Sequence, residues 1–146
     1  MRRALSAGKS PDDARSADMN PRLKEAIELF NRGDYFAASE RFEQVANEVD
    51  APLKDTVAAL NRIAAALHLR FARGLRQGPI NLLSQALFSL EDLGPQHDGI
   101  DLELLRSEVS AFVEQIRAAG REAHGIRHRA RLYAARRRAP KIRLRA

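Results

Sequence analysis

Two glutamates and a histidine have the residue types and spacing for metal binding or acid–base chemistry. Glu40 and Glu43 are three residues apart, so they share one face of the helix predicted there. In the next predicted helix, Asn61 and His68 belong to a row of polar and small residues. If the two helices pair antiparallel, these rows meet, and two carboxylates with an imidazole can bind a divalent ion or transfer protons. The ligand-binding candidates are therefore Glu40, Glu43, Asn61 and His68.

The same side chains also have a simpler, structural interpretation. Buried polar groups need hydrogen-bond partners, so this row can be an interhelical network, and an exposed glutamate pair can simply face water. The sequence contains no Walker loop, no G-x-G-x-x-G, no H-E-x-x-H and no G-x-S-x-G. We therefore predict no catalytic residue, no cofactor and no specific metal ligand. The pattern favours a non-enzymatic protein, and the alternative is a metal- or small-ligand-dependent site on Glu40, Glu43 and His68.

The charge of the chain is concentrated near its C-terminus. The 146 residues include 25 Lys and Arg and 19 Asp and Glu, for a net charge of +6. Residues 117–146 contain eleven basic residues and one acid, Glu122, and so carry +10. The preceding 116 residues contain 14 basic and 18 acidic residues and so carry −4. Such asymmetry indicates an anionic partner.

We predict that this basic tail contacts RNA or DNA. Nucleic-acid affinity comes largely from cations that release counterions along the phosphate backbone, and arginine forks onto phosphates. Tyr133 is the one Phe, Tyr or Trp in this stretch, which argues against base-specific recognition by stacking. An acidic protein partner, an anionic membrane surface and a solubilising tail are the alternatives. The nucleic-acid-binding candidates are Arg127, Arg129, Arg131, Arg136, Arg137, Arg138, Lys141, Arg143 and Arg145.

Apolar residues recur at helical spacing in five segments, and turn residues separate them. Asn20-Pro21 predicts the start of the first helix, because Asn is a favoured N-cap and Pro suits the first helical position. Gly33 ends this helix, and the second helix follows Asp34. The third helix, residues 53–73, is the most apolar, which indicates a central position.

The remaining helices are bounded in the same way. Gly78-Pro79 opens the fourth, Gly94-Pro95 ends it, and Asp101 is the predicted N-cap of the fifth. Residues 121–138 can form a further basic helix.

These elements predict an all-α fold, a compact array of about five helices. Residues 1–19 are polar and small and are predicted to be disordered, 20–118 form the helical domain, and 119–146 form a basic tail that is partly helical or disordered. No apolar run approaches the ~20 residues of a membrane span. The absence of cysteine suits the reducing cytoplasm, where we expect the protein. The sequence leaves the oligomeric state open.

Two stretches of the chain carry a family resemblance. Residues 30–43 read FNRGDYFAASERFE and residues 61–74 read NRIAAALHLRFARG; Gly78, Leu82-Leu83, Ala86-Leu87 and Gly99-Ile100-Asp101 follow. Together they resemble the Domain of Unknown Function 309 family of bacteria and archaea. There the first stretch reads approximately F-N-x-G-x-Y-(F/W)-x-x-H-E-x-L-E-x-x-W, and the second approximately G-L-I-Q-x-A-x-A-x-H-(L)-x-x-G-N.

The resemblance implies a small all-helical protein over about residues 22–116, two-thirds of the chain. This sequence departs from the family pattern at two positions, where Ser39 replaces its His and Ala46 replaces its Trp. Glu40, Glu43 and His68 remain. If the family uses a His–Glu cluster for metal binding or catalysis, this chain lacks one participant. The family itself has no agreed activity, so the resemblance implies a fold more than a function.

Overall fold

The computed structural model describes residues 19–119 and 126–145, and within these ranges the chain is almost entirely helical. The predicted all-α fold is confirmed. Much of the predicted disordered segment, residues 1–18, lies outside the described residues, as do residues 120–125 and 146. The helices are α1 (Pro21–Asn31), α2 (Tyr35–Ala46), α3 (Leu53–Arg73), α4 (Gln77–Leu93), α5 (Leu102–Ala119) and α6 (Ile126–Arg136), and two short strands, β1 (Gln96–His97) and β2 (Ile100–Asp101), lie between α4 and α5.

Side-chain caps start two of the helices where the sequence predicts them. The Asn20 side chain accepts hydrogen bonds from the backbone N–H groups of Arg22 at 2.8 Å and Leu23 at 3.3 Å. Asp101 Oδ1 accepts from Leu104 N–H at 2.9 Å at the start of α5. Both caps satisfy amide groups that have no partner inside the helix, which is why Asn and Asp predict helix starts well.

The longest helix, α3, organises the packing. It contacts both α2 and α4, while α1 packs on α2 and α5 packs on α4. Its prediction as the central helix is confirmed by its apolar residues, most of which are fully buried. The largest fully buried side chains of the core include Phe30, Phe42, Phe112, Leu60, Ile63, Leu67, Leu83 and Leu105.

A two-residue turn connects the strands, and the sequence analysis did not predict it. His97 pairs with Ile100 in an antiparallel ladder. Asp98 and Gly99 form the turn with φ angles of 51° and 81°. Asp-Gly is a favoured pair for a hairpin turn with two positive φ angles. The hairpin redirects the chain from α4 into α5.

The last described residues, 139–145, form a C-terminal strap that packs back onto the helical body. Ala139 and Ile142 are buried in the core, with Ile142 2% exposed. The Asn31 side chain holds Ile142 at two points: its Nδ2 donates to Ile142 O, and its Oδ1 accepts from Ile142 N–H, both at 2.8 Å. Leu144 pairs with Ile100 as an antiparallel bridge beside β2. The described part of the basic tail is therefore a helix followed by a docked strap.

No helix within the described ranges combines the length and the apolar character required to cross a membrane.

We expect Asn31→Ala to lower the free energy of unfolding by about 1–3 kcal/mol, because it leaves both backbone groups of Ile142 without their partner. Equilibrium urea unfolding measures the change. The control is Asn47→Ala, the same substitution at an exposed position, where we expect a change within about 0.5 kcal/mol. Equal effects of the two substitutions would contradict the role of Asn31.

Candidate functional site

The polar row predicted between the second and third helices lies in an interhelical contact. Ser39 Oγ donates to Asn61 Oδ1 at 2.5 Å, and the His68 ring lies 5.2 Å from the Phe36 ring, centroid to centroid. Since Ser39 meets residue 61 and Phe36 meets residue 68, α2 and α3 run antiparallel. Ser39 thus has a neighbouring partner within the helix packing. This geometry fits the structural interpretation of Asn61.

The two glutamates of this row lie apart from such a contact. Glu40 and Glu43 are both exposed on α2. Within residues 19–119 and 126–145, no group of three or more His, Asp or Glu side chains is placed to hold a metal ion. The described structure therefore does not assemble Glu40, Glu43 and His68 into a metal centre.

Three basic candidates in the strap are bound to the body of the protein. Their partners are backbone oxygens and carboxylates, most of them on α5 or just before it. Lys141 Nζ donates to Asn31 O at 2.8 Å, Arg143 pairs with Glu108, and Arg145 pairs with Asp101 at 3.3 Å and with Glu103 at 3.1 Å. These cations fasten the strap, and carboxylates partly neutralise the charges of Arg143 and Arg145.

Asp101 links the strap to the start of α5. The hydrogen bond from Leu104 N–H is the main reason that the pKa of Asp101 lies below its usual value, and Arg145 lowers it further. The carboxylate thus stabilises the folded chain in its charged form.

Arg136 fixes α6 to the body. Its Nη2 donates to Gly33 O at 2.6 Å, and its guanidinium lies 5.7 Å from the ring centroids of both Tyr35 and Phe71. Gly33 has a φ of +88°, and a Cβ at this position would come within 3.1 Å of Arg136 Nη2. Glycine therefore allows both the turn and the close approach of the guanidinium.

A second glycine with a positive φ angle lies at the end of α3, where α6 packs against it. Gly74 has a φ of +66°, and a Cβ there would lie 3.3 Å from Nε2 of His128 and 3.7 Å from Cδ1 of Leu132. The predicted basic helix therefore crosses the C-terminal end of α3.

Four further tail candidates have exposed side chains: Arg129, Arg131, Arg137 and Arg138. Arg137 lies over the exposed ring of Tyr133, 5.9 Å from its centroid. The side chain of the remaining candidate, Arg127, is outside the described part of the structure. The nine candidates thus do not form one uniform arm, because Arg136 and the strap cations are used inside the fold.

A cavity of about 830 Å³ lies between the end of α3, the end of α5 and α6, and we call it the arginine groove. Among its described lining residues there is no Asp or Glu, so positive charge dominates the groove. Its arginines come from two distant parts of the chain: Arg70, Arg73 and Arg76 from the end of α3 and the following turn, and Arg129, Arg131 and Arg136 from α6.

Two of these arginines, the buried Arg70 and the half-buried Arg76, act on each other electrostatically. Arg70 is 7% exposed, and its Nη1 donates to Leu75 O at 3.1 Å. Arg76 Nη2 donates to Arg117 O at 3.3 Å. Burial lowers the pKa of Arg70, and the positive charge of Arg76 lowers it further.

Part of the groove wall is apolar, in contrast to the arginines. Phe71, Phe112 and Ile116 line it from the body, and Leu132 and Tyr133 line it from α6. The arrangement of cations beside an apolar wall suits an anionic group attached to an organic moiety.

Sequence reasoning missed the contribution of Arg70, Arg73 and Arg76, because it assigned the basic surface to the tail alone. Arg70 does carry a local signal. It follows Ile63 and Leu67 at helical spacing, so it occupies the buried stripe of α3 where an apolar residue is expected.

Comparisons with known proteins do not assign an activity. No family model matches the chain, and no solved structure matches it significantly. A protein of Aquifex aeolicus (strain VF5) named "Uncharacterized protein" is 35% identical over 98 residues, which is 64% of this chain and 27% of that protein. The chain thus spans about a quarter of the length of the curated relative it matches.

We expect Arg136→Lys to destabilise the protein by about 1 kcal/mol or more, because lysine loses the planar contact of the guanidinium with both rings and lacks the Nη2 donor to Gly33 O. Chemical unfolding measures the change. Arg137→Lys is the matched control. This arginine lies over one ring, the exposed ring of Tyr133, and we expect its substitution to change the free energy of unfolding by less than about 0.5 kcal/mol. If both variants had the same free energy of unfolding as the wild type, the stabilising role of the Arg136 contact would be contradicted.

Asp101→Asn keeps a good N-cap but removes the charge, so it isolates the pH dependence of this carboxylate. The folded-state pKa of Asp101 is lowered, so its contribution is present at neutral pH and is lost as the pH falls below about 4. We expect the variant to be less stable at pH 7 and to lose less stability on acidification. Unfolding curves across this pH range measure both effects. If the variant lost as much stability on acidification as the wild type, the role of the Asp101 carboxylate would be contradicted.

Proposed function

We propose that this protein is a non-enzymatic binding module that contacts RNA or DNA through the arginine groove and the outer face of α6, without sequence preference. The observation that carries the proposal is the set of six arginines that line one groove with no Asp or Glu among its described lining residues. A groove of one sign concentrates the opposite charge and attracts polyanions.

The proposed interface combines the tail with the body. Arg129 and Arg131 line the groove from α6, and Arg73 and Arg76 line it from the other side. Because Arg136 and Gly74 seat α6 on the body, these cations are held on a rigid scaffold. Less conformational entropy is then lost on binding than with an unstructured arm.

The described surface of α6 lacks the side chains that sequence-specific recognition requires. Sequence-specific recognition needs side chains that reach base edges or stack on several bases. Tyr133, 70% exposed, is the aromatic residue that α6 offers, and Arg137 already lies over it. Contacts to phosphates are therefore expected to supply most of the affinity.

Two expectations from the sequence accompany this proposal. We propose that the chain is a divergent relative of the Domain of Unknown Function 309 family, supported by the two quoted stretches and by the order of its helices. We also propose that it acts in the cytoplasm, where RNA and DNA are accessible to it.

The basic residues near the C-terminus cannot be removed by truncation without loss of part of the hydrophobic core. Removal of residues 120–146 would delete the buried Ala139 and Ile142 together with the basic residues, so a truncation would confuse unfolding with loss of binding. Point substitutions of exposed arginines avoid this problem.

We expect the double variant Arg129→Gln, Arg131→Gln to weaken binding to a fluorescent single-stranded RNA and to a DNA duplex alike, measured by anisotropy across a salt series. If the wild type makes about six phosphate contacts, the slope of log K against log salt is near −5 on the duplex, and loss of two contacts reduces its magnitude by about 2. The matched control, Arg22→Gln, Arg41→Gln, removes the same charge from surface ion pairs with Glu48 and Glu25, and we expect the wild-type slope.

Equal losses in the two double variants would show that net charge alone is responsible and would contradict a defined interface. Absence of binding by the wild-type protein at low salt would overturn the nucleic-acid proposal. If the protein bound an acidic peptide or anionic vesicles but no nucleic acid, the partner of this surface would be a protein or a membrane, and the nucleic-acid proposal would be wrong.

A further inference from the structure

The inner arginines of the groove have more hydrogen-bond capacity than the protein uses. A guanidinium carries five N–H donors. Among the described residues, Arg70, which is 7% exposed, makes one hydrogen bond, to Leu75 O. The Nε of Arg76 is buried and finds no hydrogen-bond partner within the described part of the chain. Buried donors without partners are rare in native proteins and call for a physical reason.

The end of α3 does not supply that reason. Two carbonyls near its end already have partners, since Arg70 O accepts from Gly74 N–H at 3.0 Å and Leu69 O accepts from Leu75 N–H at 3.3 Å. The carbonyl dipoles attract cations at a helix C-terminus, but this attraction is small beside the cost of holding the buried charge of Arg70 next to a second cation, Arg76. No carboxylate among the described lining residues pairs with either guanidinium.

We infer that Arg70 and Arg76 form an inner subsite for the phosphate group of a phosphate monoester. A phosphate presents several acceptor oxygens and a double negative charge, so it satisfies unused donors of both guanidiniums and removes their repulsion. This subsite goes beyond the proposed function, because a free phosphate monoester fills it as well as the terminal phosphate of a nucleic acid does.

Burial favours a terminal phosphate over the interior phosphates of a duplex. A phosphate has to enter the groove to reach Arg70, and a stiff duplex keeps its phosphates on its outer surface. The cavity, about 830 Å³, lies within the size range of small-molecule sites and exceeds what a phosphate alone requires. The organic part of the ligand then lies along the apolar wall formed by Phe71 and Leu132.

The test is thermal unfolding and calorimetric titration of the full chain with inorganic phosphate at constant ionic strength, with chloride as the reference anion. We expect phosphate to raise the melting temperature of the wild type, because a ligand that binds only the folded state stabilises it. Arg76→Gln is expected to weaken phosphate binding about tenfold or more. Arg41→Gln, which removes the same charge at an exposed ion pair outside the groove, is expected to leave phosphate binding unchanged.

The stability of the unliganded variant separates a binding role from a structural one. Without phosphate, Arg76→Gln is expected to melt at or above the wild-type temperature, since it removes the repulsion on Arg70. A purely structural Arg76 would instead make this variant melt lower. Arg70→Lys, which keeps the charge but loses the fork, provides a second variant and is expected to bind phosphate more weakly than the wild type.

Two comparisons of phosphorylated with unphosphorylated compounds identify the source of the phosphate. A 5′-phosphorylated single-stranded RNA is compared with the 5′-hydroxyl RNA of the same sequence, and adenosine 5′-monophosphate is compared with adenosine. A 5′-phosphate advantage that Arg76→Gln abolishes supports a nucleic-acid terminus, and an advantage of the monophosphate alone supports a free small ligand. Binding of the 5′-hydroxyl RNA tests the proposed function separately.

The inference is overturned if phosphate and chloride stabilise the wild type equally, or if Arg76→Gln and Arg41→Gln bind phosphate with the same affinity.

Discussion

The contact of Arg136 with the α1–α2 turn and the aromatic core is the interaction on which the position of α6 and the shape of the arginine groove depend. The guanidinium reaches Gly33 O and lies against both Tyr35 and Phe71. Tyr35 and Phe71 are themselves stacked at 5.9 Å, and Phe71 continues to Phe112 at 5.7 Å. A charged side chain thus extends the aromatic core to the last helix. Without this contact α6 would lose its position over Gly74, and the groove would lose one wall.

The basic residues of the C-terminal region serve different physical purposes although they look alike in the sequence. Arg143 and Arg145 lie against carboxylates and fasten the strap, Arg136 lies against aromatic rings, and Arg129 and Arg131 face the groove. The charge difference between body and tail therefore has two effects at once. Part of it holds the tail on the body by ion pairing, and part of it remains available to an anionic partner.

Local signals account for the parts of the fold that could be predicted from the sequence. The start of α1 at Asn20-Pro21 and the start of α5 at Asp101 follow from capping, which depends on neighbouring residues alone. The limits of α3, Leu53 and Arg73, also agree with the prediction; the helix starts after Pro52 without a side-chain cap and ends at Gly74, which has a φ of 66°. The hairpin was missed although Asp98-Gly99 is a turn signal, because its strands are two residues long and no alternating pattern accompanies them.

The candidate site was harder to predict, because long-range contacts create it. Nothing near Asn31 in the sequence indicates that its side chain binds the backbone of Ile142, 111 residues away. Likewise, Arg76 belongs to a turn that resembles an ordinary helix connection until α6 packs beside it. Glu40, Glu43 and His68 have suitable types and spacing, but spacing along a helix does not bring carboxylates out of solvent. The two glutamates remain exposed on α2, and the arginines gather instead.

The central claim is that anions bind in the groove between α3, α5 and α6, and arginine side-chain NMR tests it most directly. The Nε–H resonances of the arginines are followed while single-stranded RNA is added to the isotope-labelled protein. We predict shifts at Arg70, Arg76, Arg129 and Arg131, with none at Arg22 and Arg41 on the α1–α2 face. Shifts confined to that face, or spread evenly over all arginines, would contradict it.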